Sequence, residues 1–172
     1  GGTDHNLDCE GRDRTSMQFP QGQTELIRQV SAINGKTIVV LMHGAPIDLP
    51  WIDRVPAVLD MFFPGMEGGT AMADILFGDA DPSGRLTFSW PERLEDSPVY
   101  ELATQDVDNV NYEDSLMVGY RYFDTKRVTP RYEFGYGLSY TTFDYSKMKV
   151  KKDGDNCVVT LHVKNTGSRD GA

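Results

Sequence analysis

An α/β layer built on a parallel sheet, followed by the first strands of a truncated β-sandwich, is the fold class that this 172-residue sequence predicts. Three observations lead there. Helical and strand-like apolar segments alternate through the first 78 residues, the order expected of a parallel sheet with crossover helices. The run Thr37–Met42 is continuously apolar and rich in β-branched residues, which suits a strand buried on both faces. Near the end of the chain the pattern becomes strict alternation on either side of Asp153-Gly154, a hairpin signal.

Residues 21–34 read as a helix, because Leu26, Ile27, Val30 and Ile33 share one stripe and Asn34-Gly35 supplies a stop. His43-Gly44-Ala45-Pro46 ends the Thr37–Met42 strand. A short helical stretch spans Pro50–Arg54. Ala57–Phe63 is a second strand-like run, closed by Pro64-Gly65. Glu67–Phe77 reads as a helix with Ala71, Met72, Ile75 and Leu76 turned inward, and Gly78 ends it. The cluster Asp79–Gly84 is a turn. Residues 92–115 are polar, acidic and aperiodic, and read as a long surface loop. An aromatic block follows from Tyr112 to Tyr145. All eight tyrosines lie between Tyr100 and Tyr145. The last two strands are Tyr145–Val150 and Asn156–Lys164, with Val159, Leu161 and Val163 on one face of the second. Asn165–Gly167 makes another turn. Two strands do not make a stable sheet, so the expectation is a sequence that stops inside a β-sandwich. The domain reading is 1–92 for the later part of the α/β domain, 93–141 for a Tyr-rich connector, and 142–172 for the start of the sandwich.

A net charge of −9 argues against a nucleic-acid partner. The lysines between Lys147 and Lys152 read as a solvated strand face. The longest apolar run is far too short to span a bilayer. Cys9 and Cys157 do not make a disulfide framework, and His5, His43 and His162 have no metal-ligand spacing. No metal or cofactor is expected.

The stretch Gly1–Arg14 is crowded with carboxylates ahead of a helix. Asp4, Asp8, Glu10 and Asp13 fit either a solvated acidic loop or a site that binds metal or sugar hydroxyls or does acid/base work. His43 at a strand end reads as a hydrogen-bonded structural histidine. Trp90 reads as a packing residue, and Trp51 is open between packing and sugar stacking. The tyrosine block reads as packing of a connector.

Several segments, taken in order, resemble one family. Glu10-Gly-Arg-Asp-Arg14 with Phe19-Pro20 comes first. Ile38–Leu41 running into Gly44-Ala-Pro46 follows, then Pro64-Gly-Met-Glu-Gly-Gly69 with Ala73–Gly78. Asp81-Pro-Ser-Gly-Arg-Leu86, Val118–Phe123, Tyr132–Tyr140 and Asn165–Gly167 complete the set. Each is weak alone, and together they resemble glycoside hydrolase family 3 across nearly the whole chain.

The resemblance implies β-glucosidases and β-xylosidases, in which a (β/α)8 barrel carries an Asp nucleophile. An α/β sandwich domain then supplies the acid/base Glu, and a fibronectin-III-like domain often follows. By that resemblance Glu10 is the acid/base. Asp8 helps tune it, and Asp13 and Arg14 either touch substrate or hold the loop. Arg14 would do so by pairing bidentately with a carboxylate, either Glu10 or one in the barrel. The implied partners are an oligosaccharide and the barrel domain, which this chain lacks. A retaining glycosidase needs two carboxyls roughly 5–5.5 Å apart, so the chain alone is expected to be inactive. The rival reading is a non-catalytic carbohydrate-binding or scaffold protein of the same descent. The substrate class alone points to a periplasmic or secreted location.

Overall fold

The computed structural model of the protein describes residues 14–100 and 116–171. The chain divides into two compact units, Gly1–Gly69 with Leu86–Gly135 and Thr70–Arg85 with Tyr136–Ala172.

In the first unit, α1 (Gln23–Ile33) begins after Gly22, whose φ of 72° suits glycine. It ends at Asn34, whose side chain accepts the Lys36 N–H at 2.9 Å. The expected stripe is only partly covered. Ile27 packs against the core and Ser31 is buried, but Leu26 is 61% exposed and Ile33 88% exposed. The helix therefore rests on its Ile27–Ser31 line rather than on the centre of the stripe. Its first turn is braced by Glu25, which accepts two hydrogen bonds from Arg28 at 2.7 and 2.6 Å and one from Gln29 at 2.7 Å. Those donors, Arg28 first, hold the Glu25 carboxyl down at about 2 instead of 4.5. A lowered acid pKa stabilises the fold fully above 4.5, and that gain is lost as the pH falls towards about 2. The Glu25 carboxyl carbon followed by NMR is expected to titrate near 2, with Arg28→Ala moving the midpoint back towards 4.5. Because the pair is on the surface, added salt will weaken the effect.

β1 (Ile38–Leu41) pairs in parallel with β2 (Ala57–Asp60), in a register that sets Leu41 opposite Asp60. The parallel pairing is as expected, but burial on both faces is not. Val39 and Leu41 are buried while Ile38 is half exposed. The core is Met17, Phe19, Val39, Leu41, Ile47, Leu49, Trp51 and Trp90, with Leu86, Phe88 and Tyr132 packed against it. A 3₁₀ turn at Ile52–Arg54 occupies the predicted short helical stretch. A second 3₁₀ turn, Leu94–Asp96, lies within the predicted loop; residues 101–115 of that loop are outside the described residues. α3 (Tyr120–Lys126) is a helix in the aromatic block that the sequence reading did not expect. Tyr132 meets Trp90 edge-on at 6.3 Å and pairs with its backbone.

The helix α2 (Gly68–Phe77) crosses from one unit to the next after Gly69. Gly78 closes it at φ 83°, as expected. Within the second unit Asp81 is a hub. Its carboxylate accepts the Ser139 hydroxyl at 3.0 and 2.8 Å and the Tyr140 N–H at 2.7 Å. Tyr140 donates its phenol to the Ile75 carbonyl at 2.8 Å, and the Arg169 guanidinium lies over its ring. The antiparallel hairpin β3 (Phe143–Asp153) and β4 (Asn156–Asn165) turns through Gly154 at φ 60°. Its register shifts between Ser146 and Lys149, where Lys147 takes φ 53°, which is a β-bulge. The Asn165–Gly167 turn forms as read: Asn165 Oδ1 accepts both the Gly167 N–H and the Thr141 hydroxyl.

Candidate active site at the carboxyl ends of the parallel strands

Chains leaving the carboxyl ends of parallel strands form the loops where α/β folds gather ligands. Here β1 runs into His43–Pro50 and β2 into Met61–Gly65. The first loop is folded back by hydrogen bonds. His43 is completely buried and donates Nδ1–H to the Ala45 carbonyl at 2.8 Å. The Asp48 N–H donates to the Met17 carbonyl at 2.8 Å, and the Trp90 indole donates to the Ile47 carbonyl at 2.9 Å.

The two strand ends meet through His43 and Asp60. His43 Nε2 lies 3.1 Å from Asp60 Oδ1, within ion-pair range. It lacks the alignment of a hydrogen bond, so Nε2 and Asp60 Oδ2 stay without hydrogen-bond partners among the described residues. The expectation of a hydrogen-bonded histidine therefore holds for Nδ1 and fails for Nε2. Phe62 and Trp90 wall the imidazole, with ring centroids 5.4 and 5.2 Å away. Asp60 Oδ1 also accepts the Phe62 N–H at 3.2 Å. Phe62 has φ 48°, a left-handed conformation that costs a bulky residue about 1–3 kcal/mol. Strain of this kind concentrates at functional sites.

Arg14 is half buried and donates Nη1–H to the Pro46 carbonyl at 3.3 Å. Burial pushes the Asp48 carboxyl up; the Arg14 guanidinium opposes this, while Glu95 and Glu92 add to it. A groove of about 650 Å³ is lined by Phe19, Asp48, Pro50, Trp90, Glu92 and Arg131, with Arg131 ion-paired to Glu92. Its size suits a small ligand. Trp51 is 2% exposed, so it is a core residue and not an open stacking platform, although its indole N–H finds no hydrogen-bond partner among the described residues. Trp90 is a packing residue, as read.

Of the residues assigned by resemblance, Asp8, Glu10 and Asp13 lie outside the described residues, as does Asp4. Arg14 is the member of the set that the structure describes, and it grips the loop after β1. The sequence reading passed over Asp60, Phe62 and Asp48. A carboxylate closing the apolar run Ala57–Leu59 was the available signal, because an acid largely withdrawn from water requires a partner. Among the described residues no group of three or more His, Cys, Asp or Glu is arranged to hold a metal, and no helix is long and apolar enough to cross a membrane.

Known proteins are similar to this chain over nearly its whole length. Thermostable beta-glucosidase B of Acetivibrio thermocellus is 43% identical over 99% of this chain and 23% of its own length. Beta-glucosidase BoGH3A of Bacteroides ovatus is 40% identical over 95% of this chain and 23% of its own. Among solved structures, beta-glucosidase from Kluyveromyces marxianus in complex with glucose superposes with a TM-score of 0.89 at 36% identity, over 96% of this chain and 20% of that one. Beta-glucosidase 3B from Thermotoga neapolitana in complex with glucose gives 0.87 at 40% identity, over 95% of this chain and 25% of that one. The chain thus spans 20–25% of the length of these relatives. The family model for the glycosyl hydrolase family 3 C-terminal domain matches residues 1–140, and the chain belongs to that family.

Proposed function

We propose that the chain is the acid/base-supplying part of a retaining exo-β-glycosidase that removes terminal β-glucosyl units from oligosaccharides. Terminal β-xylosyl units are a second, slower substrate class in this reading. The supporting observation is 40–43% identity to beta-glucosidases across almost the entire chain. The nucleophile belongs to a (β/α)8 barrel outside this chain. Glu10 is the general acid and then the base, Asp8 tunes it, and Asp13 and Arg14 support the loop that bears it.

The chemistry sets the terms. A general acid has to be protonated at the working pH, so its pKa must be raised by burial or by a neighbouring negative charge. Docking against the barrel would supply both, by excluding water and bringing the nucleophile carboxylate close. In the same reading residues 1–92 complete an α/β sandwich domain, 93–141 connect, and 142–172 begin a fibronectin-III-like domain. The apolar residues left exposed on the hairpin, among them Val159, Leu161 and Val163, support that last assignment, because a sandwich would cover one face.

The test compares the full-length protein with residues 1–172 on nitrophenyl β-glucoside and β-xyloside. The full-length protein is expected to hydrolyse the glucoside faster than the xyloside, and the isolated chain to hydrolyse neither. Turnover by the isolated chain would refute the division of labour. A full-length protein inactive on both would refute the enzymatic reading.

A further inference from the structure

We propose that His43 and Asp60 are a positioning pair for the acid/base segment, acting through the Ala45–Pro46 peptide and Arg14. This rests on the reading of Glu10 as the acid. The argument begins with two consecutive carbonyls. Ala45 O is held by His43 Nδ1 at 2.8 Å. Pro46 O is held by Arg14 Nη1 at 3.3 Å. Neighbouring peptide groups of one short loop are thus gripped from two sides, and any shift of the His43 ring is carried to the anchor of Arg14. Arg14 stands four residues after Glu10.

His43 is in turn fixed by what surrounds it. With Nδ1–H committed to Ala45, Nε2 is left facing the Asp60 carboxylate at 3.1 Å. Asp60 also accepts the Phe62 N–H, and Phe62 closes over the imidazole. The positive φ of Phe62 is therefore held by the same carboxylate that orients His43. A misaligned contact between a buried imidazole and a carboxylate that is 19% exposed, beside a strained neighbour, contributes little to stability. Its value lies in orientation, since a displacement of about 1 Å at a reacting group can cost on the order of 10²-fold in rate.

The experiment uses the full-length enzyme and kcat/KM, which reports the glycosylation step. His43→Asn keeps a donor near the Ala45 carbonyl and removes the contact to Asp60. Asp60→Asn keeps the shape and removes the charge. With methyl β-glucoside, whose departure needs full protonation, both variants are expected to lose on the order of 10²-fold. With 2,4-dinitrophenyl β-glucoside, which needs none, the loss is expected to stay within about 3-fold, because the acid contributes almost nothing to that departure. Glu10→Gln is measured alongside. Equal losses on both substrates in His43→Asn and Asp60→Asn, with a leaving-group split in Glu10→Gln, overturn the positioning pair and leave Glu10 intact. No split in Glu10→Gln removes the acid assignment and this proposal with it. If His43→Asn does not fold, the near-isosteric Asp60→Asn carries the same decision.

Discussion

Glu10→Gln in the full-length enzyme is expected to lower kcat/KM by about 10²–10⁴-fold for glycosides with poor leaving groups, the range assigned to general acid catalysis. The loss should nearly vanish for dinitrophenyl glycosides. The asymmetry follows from charge development. An alkoxide leaves only if a proton reaches its oxygen in the transition state, whereas a dinitrophenolate is stable enough to leave unaided. Gln retains the shape and hydrogen-bonding reach of Glu but has no proton to give. Steady-state kinetics on a leaving-group series reads the effect directly. A flat dependence, with all substrates slowed alike, would move the acid role to another carboxylate. The second half-reaction supplies an independent check. There the role proposed for Glu10 is that of base, so an added small anion that needs no deprotonation is expected to restore turnover of the activated substrate in Glu10→Gln.

Trp90→Ala is expected to cost about 3–5 kcal/mol of stability, the range for truncating a buried aromatic side chain. Trp90 is 3% exposed and touches His43, Phe88 and Tyr132 through ring contacts. It also ties Ile47 by its indole N–H, so truncation leaves a buried carbonyl without a donor. Trp90→Phe separates the two contributions, since it keeps most of the apolar area and loses only the hydrogen bond, for about 1–3 kcal/mol. Chemical denaturation reads both. Domains are stable by only about 5–15 kcal/mol, so the larger loss is a substantial share of the whole. A cost below about 1 kcal/mol for Trp90→Ala would show that the ring is not part of the core.

The sequence made some features legible and hid others for identifiable reasons. β1, β2, α2 and the hairpin were readable because period, β-branching and the glycines Gly78 and Gly154 all point the same way. α3 was not, since a seven-residue helix rich in tyrosine has neither the length nor the propensity to announce itself. The stripe on α1 was read correctly as a shared face, but periodicity does not say what covers a face. In the site, His43 was visible as a histidine at a strand end. Its partner Asp60 is 17 residues away and becomes a neighbour only through the parallel register. Arg14 was visible through its motif, whereas its hold on the Pro46 carbonyl depends on a backbone contact that no residue pattern encodes.

The hairpin has a further consequence for how such a chain behaves in concentrated solution. Among the described residues β3 and β4 pair only with each other, so each strand offers an outer row of backbone donors and acceptors on which a foreign strand could grow. Long open ribbons of this sort seed fibrous association. Two features oppose it. The irregularity at Ser146–Lys149 breaks the straight run of the ladder, and Lys147, Lys149, Lys151 and Lys152 place like charges along one margin. A second copy approaching in register would bring lysine against lysine. The alternating basic residues that say nothing about ligands thus serve as gatekeepers of solubility.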